Sequence, residues 1–447
     1  MNALDYNKVV CAVEEKDITD LNNINGGINV LPGYISGTRK PITTPVGYEL
    51  NEEYIKNWTT TRCITTYEPY FKYYNIKDLP ADTNYLYIIT IKNVNYFELN
   101  KDGLKKVSGK VLQDVKNGLA KLVLLMPTEG TSGTARYSKD FEYIQQWIDE
   151  VDIPSERVYF INNNLISEQI AKQKEVKYNV SSVISFEAYN NVFDYPECIE
   201  YSPTKENFLY LNFNRTTKMH RISFLAELVN SDMFDKGLNS FNFSLSHFAP
   251  LADRKVFDNI IYHYEQDPEK IKKCGILYDK WSQNIDDVSK IQDQGTVPDV
   301  DLYRKTFCSV VTESILDYNS VFISEKTFKP IIMEHPFMVL GSSGILKELK
   351  NMGYKTYSRW FNEDYDNEDC SLRTKVQIIV NCLKHLSKKS VNDLIYDREQ
   401  MKSTALYNKE VLKERTKKLY TLENKIFFSD DQPKAAMDKI YEIYNNW

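Results

Sequence analysis

The chain has few cysteines and no closely spaced pair of them. Its 7 cysteines among 447 residues are scattered, odd in number and include no Cys-x-x-Cys. This pattern favours neither a disulfide framework nor a cysteine-ligated zinc site. The sequence also lacks the ~20 uninterrupted apolar residues of a membrane-spanning helix, and its N-terminus has no basic patch followed by an apolar core. We therefore expect a cytoplasmic protein without a membrane span.

An excess of positive charge is missing as well. Lysine and arginine total 56 against 62 aspartates and glutamates, which leaves a formal net charge of -6. Proteins that bind polyanions over a broad surface usually carry the opposite balance, although a local basic face is compatible with these numbers. Bulk charge therefore argues against a general nucleic-acid binder.

The remaining composition is that of an ordinary globular protein, with 42% apolar and 26% charged residues. A chain of this length is too long for one ordinary core and indicates two or three domains. Apolar runs and helical periodicity alternate through the first half, which is typical of a parallel sheet covered by helices. The predicted strands there are Tyr85 to Ile91, Leu122 to Met126, Val158 to Ile161 and Ser182 to Phe186. The first eighty residues are expected to be irregular or an insertion.

The same alternation restarts after a proline-containing interruption near residues 192 to 206. The pattern predicts strands at Asn207 to Leu211 and Phe337 to Leu340, with helices at Leu372 to Leu386 and Val391 to Ser403. We therefore predict one α/β domain over residues 1–195 and a second α/β domain over 205–430. A final helix over 431–447 is expected to pack back on the first domain.

Polar residues that bind nucleotides well follow two buried strands of the second half. Glu313 comes after the apolar run Phe307 to Val311, and Ser324, Glu325, Lys326 and Thr327 open a helix. Gly341 and Gly344 form the turn after the next strand, where glycine lets a backbone approach a ligand but is also expected in any tight turn. Together they outline a nucleotide-sugar pocket.

This segment resembles the donor-binding half of two-domain glycosyltransferases of the GT-B type. It is most similar to α1,3-fucosyltransferases, whose Phe-Glu-Asn-Ser and Tyr-x-Thr-Glu-Lys motifs correspond here to Thr312-Glu313-Ser314 and Phe322 to Lys326. The longer pattern, Glu-Lys-Thr-Phe-Lys-Pro from Glu325 followed by His-Pro-Phe-Met-Val-Leu-Gly from His335, also resembles glycosyltransferases of large viruses and bacteriophages. The resemblance implies two Rossmann-like domains facing a central cleft, with residues 1–195 on the acceptor side and residues 205–430 binding the nucleotide-sugar donor. For a viral protein it implies the host cytoplasm.

A basic turn follows the first strand of the second half. Asn214, Arg215, Lys218 and Arg221 lie between this strand and the next helix, where ligands of open α/β sheets collect and backbone N–H groups favour phosphate. We expect them to bind a pyrophosphate, although solvated side chains at a helix start would give the same pattern. In the fucosyltransferase-like motif an arginine lies at the start of this helix, and its counterpart here is either Arg221 or Arg215.

The residue types at the second helix suggest a division of roles. Glu325 can accept ribose hydroxyl hydrogens or face the positive charge that develops on the sugar, and Lys326 can neutralise a departing diphosphate. Glu313, Ser324, Thr327 and Gly341 complete the candidate donor site. Ser324 is also a good helix N-cap without any ligand, and Glu313 is equally suited to bind loop amides.

An inverting transfer also needs a base for the acceptor hydroxyl. The candidate is Glu129, in the glycine-containing loop after Leu122 to Met126; the alternatives are Asp5, Glu14, Glu15 and Glu187. Asp299 and Asp301 fit an Asp-x-Asp metal motif, but their place before a predicted element favours capping, so we expect no metal.

The sequence thus predicts a metal-independent, inverting glycosyltransferase that uses a uridine or guanosine diphosphate sugar as co-substrate and needs no other cofactor. The acceptor stays open among a hydroxymethylated cytosine in DNA, a polysaccharide, a protein and a small molecule. A second class also stays open, namely a non-catalytic nucleotide-binding or interaction protein of the same fold. The sequence does not indicate the oligomeric state.

Overall fold

The computed structural model describes residues 10–13, 30–31, 34–35, 72–77, 79–90, 107–126, 140–183, 199–203, 208–214, 218–242, 254–279, 282–283, 299–317, 320–420 and 433–447. The chain forms two compact units. Met1–Ser185 and Ile426–Trp447 make up the first, and Phe186–Lys425 makes up the second.

The strands and helices alternate along most of this sequence. The strands are β1 (Val10–Val13), β2 (Val30–Leu31), β3 (Tyr34–Ile35), β4 (Lys72–Asn75), β5 (Tyr85–Thr90), β6 (Ala120–Met126), β7 (Val158–Asn162), β8 (Asn179–Ser182), β9 (Phe208–Asn214), β10 (Gly237–Asn242), β11 (Ser282–Gln283), β12 (Thr306–Thr312) and β13 (Phe337–Leu340). The α-helices are α1 (Gly109–Lys116), α2 (Asp140–Val151), α3 (Ser167–Gln173), α4 (Met219–Asn230), α5 (Arg254–Tyr264), α6 (Pro268–Lys273), α7 (Gly275–Asp279), α8 (Val300–Lys305), α9 (Glu325–Ile332), α10 (Ile345–Asn351), α11 (Leu372–Leu386), α12 (Val391–Tyr420) and α13 (Pro433–Asn445).

The first unit contains a six-stranded sheet in the order β4-β1-β5-β6-β7-β8, in which every pairing is parallel. The region before residue 80, which we expected to be irregular, contributes β1 and β4 to this sheet. The predicted strand Ser182 to Phe186 is shifted, because β8 pairs with β7 over Asn179–Ser182. The paired strand thus contains the polar residues Asn179 and Ser181, which a search for apolar runs had left out.

The central strand β6 is buried along its whole length and serves both faces of the first sheet. Leu122 and Leu124 pack in the core with α1 and α2, whereas Val123 and Leu125 pack with α13. This alternation follows from the pleat of a strand that is covered on both sides.

The C-terminal helix α13 belongs to the first unit. Ile440 and Ile443 are buried against β5 and β6. The buried Lys121 of β6 donates hydrogen bonds from Nζ to the carbonyls of Ile443 at 2.7 Å and Asn446 at 2.9 Å. Its Nζ also lies 4.6 Å from the ring centroid of Trp447. A lysine from the sheet therefore binds the carbonyl end of this helix, where a positive charge is favourable.

The second unit contains a five-stranded sheet in the order β11-β10-β9-β12-β13. Among the described strands of this sheet, β11 alone pairs antiparallel, at one edge. A buried ion pair between Glu334 and Lys409, at 2.8 Å, joins the segment after α9 to the long helix α12. Both units are thus α/β with mainly parallel sheets, which is consistent with two Rossmann-like domains. No helix among the described residues is long and apolar enough to span a bilayer.

Candidate functional site

The carboxyl ends of three neighbouring strands carry most of the candidate residues. β9 ends at Asn214, β12 ends at Thr312 directly before Glu313, and β13 ends at Leu340 directly before Gly341. The registers of the β9–β12 and β12–β13 pairs are parallel, so these ends lie at the same edge of the sheet. The structure therefore brings together residues that lie more than a hundred positions apart in sequence.

The crossover connections that follow β9 and β12 run toward opposite edges of the second sheet. From β9 the chain passes through α4 to β10 on one side, and from β12 it passes through α9 to β13 on the other. Ligands of open α/β sheets bind in the crevice at such a switch point, outside the carboxyl ends of the strands. A similar reversal occurs between β1 and β5 of the first sheet, and the loops that follow both strands lie outside the described residues.

The carboxylate of Glu313 lies beneath this crevice and is fully buried. Its Oε1 accepts hydrogen bonds from the Ser324 amide at 3.1 Å and the Thr327 hydroxyl at 2.6 Å. Its Oε2 accepts from the Ser314 amide at 3.0 Å and the Ser324 hydroxyl at 2.6 Å. This side chain therefore binds the end of β12 to the first turn of α9.

The backbone of Glu313 is held just as firmly. Its amide donates to the carbonyl of Leu340 at 3.0 Å. Its carbonyl lies 2.8 Å from His220 Nε2 and accepts a hydrogen bond from Arg221 Nη2 at 3.2 Å. The start of α4 is thereby joined to the same residue that anchors α9.

Two lysines, one directly before α4 and one in the first turn of α9, meet at Ser314. The Nζ of Lys218 donates to the carbonyl of Ser314 at 2.5 Å, and the Nζ of Lys326 donates to its hydroxyl at 3.0 Å. Lys326 also pairs with Glu325 at 2.9 Å, and both side chains are partly exposed. The structure thus concentrates positive charge at the switch point of a chain whose overall charge is negative.

Shifted pKa values report this local charge. Burial, together with the charges of Arg221, Lys218 and Lys326, lowers the pKa of His220 to about 3, although its bond to the Glu313 carbonyl acts the other way. The imidazole is therefore neutral at physiological pH and donates its Nε2 hydrogen to that carbonyl.

Glu325 directly precedes Lys326 in sequence and forms an ion pair with it. Burial raises the pKa of its carboxyl, but the charges of Lys326 and Lys329 and a hydrogen bond from Lys326 together hold it below its usual value. Glu325 is therefore ionised at neutral pH and can accept hydroxyl hydrogens or face a developing positive charge.

Two predicted donor-site residues point into the protein. Asn214 is buried and is hydrogen-bonded to Asn212 and to the hydroxyl of Thr312. Arg221 is also buried, and its guanidinium donates to the carbonyls of Thr312 and Glu313. These contacts favour a role in supporting the site over direct contact with a ligand.

Three further candidates lie in the frame around Glu313. Ser324 caps α9, because its hydroxyl accepts a hydrogen bond from the Lys326 amide at 3.3 Å. Thr327 is buried and donates to Glu313. At Gly341, a Cβ atom would lie 2.5 Å from Cδ1 of Ile345 and 3.1 Å from Cβ of Glu313. Glycine is therefore needed here for packing within the chain.

The start of α10, beside the glycine turn, is occupied by the chain itself. Asp366 accepts hydrogen bonds from the amides of Leu346 at 3.0 Å and Lys347 at 3.3 Å. Burial raises the pKa of Asp366 to about 6, although these amides and Lys375 act in the opposite direction. These amides are therefore already bound by a carboxylate of the protein.

Two predicted residues, Glu129 and Arg215, lie outside the described residues, so their roles stay predictions. Asp299 caps α8, since its carboxylate accepts a hydrogen bond from the Asp301 amide at 2.9 Å. Among the described residues, no group of three or more His, Cys, Asp or Glu is arranged to hold a metal ion.

Sequence reasoning missed the contribution of His220. It follows Lys218 by two positions in a stretch that we read only for its charged residues. A histidine at a helix start gives no signal of burial by itself, because its partner, the Glu313 carbonyl, is distant in sequence.

Comparison with known proteins adds little to this geometry. No protein-family model matches the chain, and no curated protein matches it. One solved structure that matches is described as the "Glycotransferase of kitacinnamycin", with 8% identity over 92% of this chain and 91% of that chain, at a TM-score of 0.28. This likeness is too slight to support a statement about the activity of the chain.

Proposed function

We propose that this protein is a glycosyltransferase that moves a sugar from a nucleotide-diphosphate-sugar donor to a hydroxyl group of an acceptor. The observation that carries the proposal is the meeting of Lys218 and Lys326 at Ser314, in the crevice where the chain crossings of the second sheet reverse. A diphosphate is the anion that two ammonium groups at such a crevice suit best.

The chemistry of transfer explains why positive charge belongs here. The acceptor oxygen attacks the anomeric carbon, the bond from that carbon to the diphosphate oxygen breaks, and its electron pair leaves with the diphosphate. Negative charge therefore grows on the leaving group in the transition state, where fixed cations lower the barrier most. Lys218 and Lys326 supply those cations in our proposal.

Glu325 and Glu129 take the remaining roles. The ionised carboxylate of Glu325 binds the ribose hydroxyls or faces the positive charge on the sugar ring. Glu129 takes the proton of the acceptor hydroxyl while its oxygen attacks from the face opposite the diphosphate, and this single displacement inverts the anomeric centre. Arg215, in the loop between β9 and α4, adds a third cation for the diphosphate.

We also propose that transfer is metal-independent, because the lysines provide charge neutralisation that a divalent cation supplies in other transferases. The test is donor hydrolysis with and without excess chelator. Unchanged rates are expected, and complete loss of hydrolysis on chelation would overturn this part of the proposal.

The main experiment measures binding of nucleoside diphosphates and their parent nucleosides by calorimetry, followed by hydrolysis of a panel of sugar donors. Lys218→Ala and Lys326→Ala should weaken diphosphate binding by roughly ten- to hundredfold, the value of a hydrogen bond to a charged group. Binding of the nucleosides should change little. Lys388→Ala, at an exposed lysine after α11, is the matched control.

The outcomes separate the remaining possibilities. Failure of every nucleoside diphosphate to bind would overturn the proposal. Binding without hydrolysis or transfer of any sugar would favour the non-catalytic nucleotide-binding alternative. Sugar added to hydroxymethylcytosine in DNA of a host that makes this base, detected by mass spectrometry, would identify the acceptor as modified DNA.

A further inference from the structure

Every polar group of Glu313 is engaged, and its partners come from three different elements. The amide donates a hydrogen bond at the end of β13. The carbonyl accepts hydrogen bonds from the start of α4, and the carboxylate accepts them from the first turn of α9. The side chain has no exposed surface. A ligand in the crevice therefore has no oxygen of this carboxylate available to it.

Two of these elements, α4 and α9, hold the two lysines, and the residue at which the lysines meet follows Glu313 itself. Lys218 directly precedes α4, Lys326 lies in the first turn of α9, and Ser314 follows Glu313 in the chain. The amide of Ser314 is itself bound by Glu313 Oε2 at 3.0 Å. The relative positions of both ammonium groups thus depend on bonds to one buried residue.

We propose that Glu313 is a positioning residue, which holds Lys218 and Lys326 in the arrangement that binds a diphosphate without touching the ligand. This inference rests on the proposed function for the identity of the ligand. The positions of the lysines in the ligand-free protein follow from the contacts alone.

The carboxylate is suited to this role because it only accepts hydrogen bonds, and all of its partners are donors. Gln at this position would place its amide nitrogen against a backbone N–H donor, that of Ser324 or of Ser314, whichever way the side chain turned. Glu313→Gln is therefore expected to disturb the site, but loss of so many buried bonds can also unfold the protein. A milder change elsewhere in the network avoids this difficulty.

Thr327 offers a matched pair of variants. Thr327→Val keeps the shape of the side chain but removes the hydroxyl that donates to Glu313 Oε1 at 2.6 Å. Thr327→Ser keeps the hydroxyl and removes only a methyl group. We expect Thr327→Val to weaken nucleoside diphosphate binding by roughly tenfold, a change of about 1.4 kcal/mol, and Thr327→Ser to restore most of the affinity.

A second readout needs no nucleotide. Lysine acetylation by a dilute acylating reagent, followed by mass spectrometry, measures how firmly each ammonium group is held in the ligand-free protein. Lys218 and Lys326 should react several-fold faster in Thr327→Val than in the wild type or in Thr327→Ser. Lys388 should react equally in all three proteins, and circular dichroism should show that all three are folded.

The two readouts fail in different ways. If the wild type binds no nucleoside diphosphate, the proposed function fails while the acetylation rates still test the positioning role. If Thr327→Val is folded, binds the diphosphate as the wild type does and shows unchanged acetylation, the positioning role is wrong. Reduced affinity with unchanged acetylation rates would also overturn it, because direct contact between Thr327 and the ligand would then explain the loss.

Discussion

Replacement of Gly341 by alanine tests the packing around Glu313 from the opposite side. Gly341 does not have a positive φ, so its backbone conformation is open to any residue. The obstacle is space, since an added Cβ would lie 2.5 Å from Cδ1 of Ile345, 3.1 Å from Cβ of Glu313 and 3.3 Å from its Cγ. The contact with Ile345 involves the terminal carbon of a flexible side chain. The contacts with Glu313 involve the inner carbons of a side chain that is fixed by hydrogen bonds.

The magnitude follows from these two kinds of contact. Overpacking a well-filled site costs about 1–3 kcal/mol, and the reduced freedom of the unfolded chain returns about 0.4–1 kcal/mol when glycine becomes alanine. We therefore expect Gly341→Ala to lower the free energy of unfolding by about 1–2 kcal/mol. Ile345→Val removes Cδ1 and costs about 0.5–1.5 kcal/mol alone.

The double variant separates the two contacts. With Cδ1 absent, the closest clash of the new methyl group disappears, so the two substitutions should offset each other by about 1 kcal/mol. The contact with Glu313 remains, so nucleoside diphosphate affinity should stay reduced even where stability recovers. Denaturant unfolding of the full chain gives the stabilities, and calorimetry gives the affinities.

The reasoning would be refuted if Gly341→Ala were as stable as the wild type and bound nucleoside diphosphate equally well. Destabilisation that Ile345→Val does not relieve would show that the clash with Ile345 is not the cause. Affinity that recovers fully with stability in the double variant would remove Glu313 from the explanation.

Three further predictions concern buried titratable side chains. Because the pKa of His220 is lowered to about 3, unfolding takes up a proton as the pH falls below the ordinary histidine value of about 6.5. The free energy of unfolding should therefore fall by about 1 kcal/mol per pH unit between pH 6 and 4, and His220→Gln, unlike the exposed control His263→Gln, should reduce this slope in acid titrations. Lys121→Met should destabilise by about 1–3 kcal/mol in thermal unfolding, because two carbonyls at the end of α13 lose their donor; an unchanged melting temperature would contradict this. Lys409→Met should cost about 3–5 kcal/mol by leaving Glu334 buried without its cation, and adding Glu334→Gln should recover part of the loss, whereas a further loss would contradict the pairing.

Sequence patterns placed the well-covered elements of the fold accurately. β13 and α11 have the predicted bounds, Phe337–Leu340 and Leu372–Leu386, because apolar spacing in buried strands and amphipathic helices follows their geometry directly. α12 is much longer than the predicted Val391 to Ser403. The predicted end at Ser403 fell at Ser403 and Thr404, two residues of lower helix propensity, but buried Ala405 and Leu412 beyond them extend the packed face of the helix.

The strands of the first eighty residues illustrate a different limit. β1 and β4 are only four residues each, and they pair with each other across about sixty residues of chain. Such short segments have no periodicity that distinguishes a strand from a loop, and their pairing depends on partners that a local pattern does not contain.

The candidate site shows most clearly what a motif does and does not specify. Sequence placed Asn214, Arg221, Glu313 and Lys326 at strand ends and helix starts, but it gave no information on which way each side chain points. A buried arginine and a ligand-binding arginine look the same in a sequence, and they differ only through carbonyls supplied by another strand.

The same ambiguity explains why both interpretations of the segment around Glu313 were tenable. Capping, loop binding and ligand binding use the same residue types, because each satisfies backbone amides or hydroxyls with a carboxylate. In this protein the hydroxyl groups of Ser324 and Thr327 donate hydrogen bonds to Glu313, and the absence of a Cβ at Gly341 leaves space for the Glu313 side chain. A substitution at any of these positions would reduce activity as a lost ligand contact does, so only a readout on the ligand-free lysines separates the two roles.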